Sequence, residues 1–116
     1  MADRASGDDL RRALSDMWLR RRSEVVTLLS DAADLARRIA LGGSTDWESL
    51  RSATHQMVGV LGVYRLNELR EAVVSVDEAT RVGDDPADAE VIADRLEQLR
   101  DAVQRHPGPS PTGEDQ

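Results

Sequence analysis

Cysteine, lysine and phenylalanine are all missing from this 116-residue chain. Without cysteine there is no disulfide framework, no thiolate metal site and no thiol nucleophile. Without lysine, a phosphate loop of the form GxxxxGKS or GxxxxGKT cannot occur. Aromatic residues are reduced to Trp18, Trp47 and Tyr64, so a core must be assembled from Leu, Val, Ala, Met and Ile. Every apolar run is interrupted by Arg, Asp or Glu, so no segment reads as a membrane span. Met1-Ala2-Asp3-Arg4 lacks the basic-then-apolar pattern of a secretory signal. The expectation is a soluble, cytoplasmic chain with one domain's worth of residues.

The charge balance is acidic. The net charge is −7, with 22 acids against 15 bases, and all the bases are arginine. An acidic chain without a basic stripe is a poor nucleic-acid ligand, because that affinity comes largely from phosphate neutralisation. Neither nucleic acid nor a membrane is expected as a partner. The cluster Arg20-Arg21-Arg22 reads as one solvated helical turn, and the many acids read as solvated helix faces.

Apolar residues recur at helical spacing throughout, and no stretch alternates as a strand would. A long first helix is expected from about Asp8 to Leu41, capped by Asp8 or Asp9 after a frayed start, with a bend or break near Ser15 or Ser23. Gly42-Gly43 supplies its left-handed exit. A second helix is expected from Ser44-Thr45, where Thr45 and Glu48 fit a capping box, to about Gly62. A third spans roughly Arg65 to Thr80 on a seam of Leu66, Leu69, Val73 and Val76. A fourth opens at Pro86 behind an Asp85 cap and stops at Pro107. Core positions are Leu50, Met57, Leu61, Leu66, Leu69, Val73, Leu96 and Leu99. Short connections between four amphipathic helices argue for an all-α antiparallel four-helix bundle over residues 8–106. The Pro-, Gly- and acid-rich residues 107–116 are expected to be a disordered tail.

The second helix holds the informative residues. His55 lies about 140° around the helix from Leu50, on the outward side. Gly59 and Gly62 follow on that side. A helical glycine costs about 1 kcal/mol relative to alanine, so two within one turn call for a reason. Gly59, one turn after His55, leaves the space over the imidazole clear for a bulky visitor. Neutral imidazole is a competent nucleophile towards phosphorus, and histidine's ordinary pKa of about 6.5 keeps much of it neutral near pH 7. Arg51, one turn before, is placed to meet an anionic product. His106 reads as a partner of the last helix's C-terminal carbonyls, where a protonated ring is favourable.

The run His55-Gln56-Met57-Val58-Gly59-Val60-Leu61-Gly62-Val63-Tyr64-Arg65-Leu66 resembles the histidine-containing phosphotransfer (HPt) family. The region from Leu14 through Trp18 to Leu29 resembles the leading helix of one of its subgroups. The likeness covers roughly residues 10–105. It implies a four-helix bundle that carries phosphoryl groups between aspartates of receiver domains, from a hybrid histidine kinase to a response regulator. Such a protein is a phosphocarrier with no kinase activity of its own. It needs no resident cofactor, because Mg²⁺ belongs to the receiver. Carried over, His55 is the phosphoacceptor and Gly59 the clearance residue. Ser52, Gln56, Val58, Gly62 and Val63 would meet the receiver. Two positions depart from the family pattern. Val58 stands where lysine is common, which shifts charge compensation to Arg51. Arg65 stands where a second glycine is common, and it either assists with phosphate or opens the third helix. Two alternatives follow from the same residues. One is an HPt-derived module that docks a receiver or kinase without transfer. The other is a homodimerising bundle that uses an uncovered strip of the first helix.

Overall fold

The computed structural model describes the backbone of residues 2–108 and the side chains from Asp9 onward. It is all-helical: α1 (Ala2–Ala40), α2 (Trp47–Val63), α3 (Asn67–Val82) and α4 (Pro86–Arg105). No strand occurs among the described residues. At 1.5 Å per residue, α1 alone is about 58 Å long, which matches the 58 Å long axis of the molecule. It begins at Ala2, without the expected frayed start or the Asp8/Asp9 cap, and it runs past Ser15 and Ser23 as one helix. No proline or paired glycine interrupts those residues, so nothing in the sequence forces a break.

Close approaches join α1 to α4, α1 to α2, α2 to α3 and α3 to α4, with none between α1 and α3 or α2 and α4 among the described residues. The core inside this ring is mainly aliphatic, with Trp18 and Tyr64 buried in it. All eight of the core residues expected from sequence are buried, together with Trp18, Val25, Leu29, Ala36, Ile92 and Val103. On the surface, Arg37 ties α1 to α4 through Asp94 and Glu97, each at 3.0 Å. These exposed pairs raise the Arg37 pKa, and such pairs contribute little to stability.

Two helices end on the same backbone device. At the end of α1 the Gly43 N–H donates to the Arg38 carbonyl and the Gly42 N–H to the Ile39 carbonyl, with Gly42 at φ +80°. That is the Schellman arrangement, with glycine in its left-handed position. At the end of α2 the Leu66 N–H donates to the Leu61 carbonyl and the Arg65 N–H to the Gly62 carbonyl. Here Arg65 takes the left-handed position, at φ +58°. Arg65 therefore closes α2, and α3 opens two residues later than expected. The flanking Leu61 and Leu66 are both buried, the apolar contact that usually accompanies this motif.

The start of α2 also differs from expectation. Asp46, not Thr45, is the cap, and its carboxylate accepts from the Ser49 N–H at 3.0 Å. Hydrogen bonding with Ser49, first its side chain and then its backbone N–H, holds the Asp46 carboxyl below its ordinary pKa. Asp85 caps α4 as expected, accepting from the Asp88 N–H at 2.9 Å.

The chain past α4 does not detach at Pro107. Gly108 is buried against Trp18 at φ +98°, and a Cβ added there would sit 2.7 Å from the indole. The Trp18 indole N–H (2.9 Å) and an Arg22 guanidinium N–H (3.1 Å) both donate to the His106 carbonyl. Residues 107 and 108 thus belong to the folded unit. The rest of the expected tail lies outside the described residues.

Candidate functional site

His55 sits midway along α2 with its side chain 76% exposed. The adjacent Thr54 is fully buried and Met57 anchors the same turn in the core. The helix therefore holds the imidazole on its outer face. One turn on, a Cβ added to Gly59 would meet nothing within 4 Å, so the space beside the ring is open as the sequence implies. Ser52, Gln56, Gly59 and Val63 are exposed around it, and Val58 is half-buried against the core. Gly62 is covered in part by Arg70, whose Nε would lie 3.4 Å from an added Cβ. Arg65 is exposed at the turn that follows.

Arg51 is the correction. Its guanidinium turns away from His55 and donates to the carbonyls of Thr80 (2.6 Å) and Gly83 (3.2 Å). It also lies over the Trp47 ring, 5.7 Å from the centroid. The last carbonyls of α3 lack intrahelical donors, and Arg51 supplies them from the neighbouring helix. Gly83 fits closely there: an added Cβ would lie 3.0 Å from both the Trp47 ring and the Ala79 carbonyl oxygen.

What stands behind His55 is a carboxylate on α3. Asp77 is buried, and its Oδ2 lies 4.0 Å from His55 Nδ1. The same oxygen accepts from the Arg81 guanidinium at 3.0 Å. The other oxygen, Oδ1, accepts from the Thr54 hydroxyl at 2.8 Å. The Thr80 hydroxyl donates to the Asp77 backbone carbonyl at 2.6 Å. A buried carboxylate needs partners of this kind, since an unpaired buried charge is strongly unfavourable. Asp77 is thus an exception among acids expected on solvated faces, and neither it nor Arg81 is among the site residues expected from sequence. The signal was there: Asp77 lies four residues after Val73, within the apolar seam of α3.

His106 is a different histidine. Its Nδ1 accepts from the Gly108 N–H at 2.9 Å, and its ring stands edge-on to Trp18 with centroids 6.2 Å apart. Burial lowers its pKa, against a smaller opposing pull from Glu68. It is therefore a neutral acceptor that orders the end of the chain, not the protonated cap that the sequence suggested. The carboxylates of Asp84, Asp85 and Asp88 cluster within 4.8 Å, but they serve the N-terminal turn of α4.

No helix among the described residues is long and apolar enough to cross a membrane. Compared with protein-family models, curated proteins and solved structures, the chain gives no match.

Proposed function

We propose that the four helices form an antiparallel bundle whose function is phosphotransfer through His55. The chain would accept a phosphoryl group from the aspartate of one receiver domain and pass it to another, with Mg²⁺ supplied by the receiver. The observation that carries this reading is the exposed imidazole beside the open space at Gly59. A nucleophile that must enter another protein's pocket needs both. The bundle reading rests on the ring of helix contacts and on short connections, which join neighbours running in opposite directions.

Arg81 takes the role that sequence gave to Arg51. Its side chain is 62% exposed, and its guanidinium bonds the carboxylate oxygen that faces His55. A phosphoryl group on the imidazole would find this cation within reach, and guanidinium is well matched to phosphate oxygens. That arrangement supplies the positive charge that Val58 cannot.

The test is incubation of the protein with a phosphorylated receiver domain and Mg²⁺, alongside His55→Gln. Acid-labile, base-stable label on the wild type alone is the expected result. Binding of receivers without any label would leave a docking module in place of a phosphocarrier.

A second reading, self-association through the start of α1, is favoured by one observation. Leu10 and Met17, two turns apart on one face of α1, are 48% and 40% exposed. It is compatible with phosphotransfer. Sedimentation of the wild type against Leu10→Glu checks it, and a monomer in both removes it.

A further inference from the structure

We infer that Asp77 is a positioning residue for His55. It sets which ring nitrogen is the nucleophile and stabilises the charge that the ring acquires. This rests on the phosphotransfer reading and gives the buried carboxylate of α3 a part in it.

The geometry carries the argument. Nδ1 is the ring nitrogen that faces the buried carboxylate, at 4.0 Å from Oδ2. A carboxylate accepts and cannot donate, so it favours the tautomer with the proton on Nδ1. That leaves the lone pair on Nε2. Free histidine favours the opposite tautomer, so without Asp77 the outer nitrogen would more often carry the proton and be unreactive. The partner of one ring nitrogen sets the state of the other.

The reaction then balances as follows. The Nε2 lone pair forms the N–P bond while the P–O bond to the receiver's aspartate breaks. The aspartate leaves as a carboxylate with that electron pair. Nδ1 keeps its proton, so the ring becomes a cation carrying the phosphoryl group. The Asp77 carboxylate faces that cation, and a fixed charge aimed at developing charge lowers the barrier.

Arg81 makes the contact adjustable. In the unphosphorylated protein it holds the same Oδ2 at 3.0 Å, so it competes with Nδ1 for one oxygen. Thr54 holds Oδ1 at 2.8 Å from the other side, which keeps the carboxylate in place whichever partner has Oδ2. A phosphoryl group that draws Arg81 towards itself releases Oδ2 to the ring at the moment the ring becomes charged.

The test uses the full chain and ring ¹⁵N spectra of His55, recorded at a pH where the ring is neutral. Asp77→Asn is expected to move the ring towards the Nε2–H form. Arg81→Gln is expected to move it further towards Nδ1–H than wild type. Because Arg81 is largely exposed, that variant keeps the test alive if Asp77→Asn fails to fold. Equal tautomer ratios in wild type and folded Asp77→Asn overturn the inference, and so does an Arg81→Gln ratio at or below that of wild type. The rate of labelling by the small donor phosphoramidate is expected to fall at least about fivefold in Asp77→Asn, the loss from neutralising a charge 4.0 Å away even at the dielectric of bulk water. An unchanged labelling rate removes the catalytic half of the inference. A tautomer shift in a protein that never takes phosphoryl from any receiver sinks the phosphotransfer reading while the ring assignment stands.

Discussion

The two histidines of this chain divide its work. His55 is 76% exposed above a buried carboxylate. His106 is half-buried, accepts from the Gly108 N–H and leans on Trp18. One ring is held out to the solvent by a helix that would be stable without it. The other is part of what closes the molecule. The same side chain stands exposed in one place and serves as a structural acceptor in the other, and the difference lies in what stands around it.

Substituting each histidine in turn is expected to give opposite losses. His55→Gln is expected to abolish acid-labile labelling and to leave stability within about 0.5 kcal/mol of wild type, as surface changes do. His106→Gln is expected to keep the label and lose about 1 kcal/mol, the worth of a partly buried hydrogen bond and ring contact. Labelling assays paired with denaturant unfolding read both numbers. A label on His55→Gln would end the division.

Gly59→Leu separates chemistry from access. The helix has room for the side chain and gains propensity, so stability should hold or rise. Transfer from a receiver domain should be lost while labelling by phosphoramidate persists. Normal transfer from a receiver would remove the clearance argument.

On the structural side, Gly108→Ala puts a methyl group 2.7 Å from the indole, at a φ that side chains avoid. A loss of about 1–3 kcal/mol is expected, with labelling of His55 unchanged. Equilibrium unfolding followed by Trp fluorescence measures it.

Arg65→Gly sharpens a smaller contrast, that between the two Schellman ends. Gly42 takes its left-handed position freely and Arg65 does not. A gain of about 0.5–1 kcal/mol is expected, seen as a rise of a few degrees in Tm.

The smallest effect is a pH dependence. The folded pKa of His106 lies below its unfolded value because of burial. The unfolded chain therefore binds the proton more readily, and stability rises with pH. The contribution is complete above about pH 6.5, the ordinary histidine value. It is lost as pH falls through the depressed folded value. His106→Gln should flatten this part of the stability profile, and an identical slope in both proteins would show that His106 does not supply it.

The glycine exit of α1 and the Asp85–Pro86 start of α4 were legible in the sequence; the Asp46 cap of α2 and the start of α1 at Ala2 were not. The core was legible, because leucine and valine repeat at helical steps. The position of His55 on the outer face followed from the same wheel. Three further features were not legible. Arg51 was assigned by spacing along α2, yet its partners are carbonyls of α3, which no single helix reveals. Asp77 was counted among the surface acids although it occupies an apolar position, because counting charge ignores which side of a helix it falls on. The left-handed turn at Arg65 carries no sequence signal when glycine is absent. In each case the deciding contact comes from another element or from the backbone alone.

The pairing of Trp18 with the carbonyl of His106 spans 88 residues of chain, whereas Thr54 reaches Asp77 across 23. Loop-closure entropy grows with the logarithm of that separation, and the difference amounts to about 1 kcal/mol. The Thr54–Asp77 hydrogen bond behind His55 is thus entropically the cheaper of the two to form. The pair α2 and α3 can therefore order that carboxylate at a lower closure cost than the contact that joins α1 to the residues after α4.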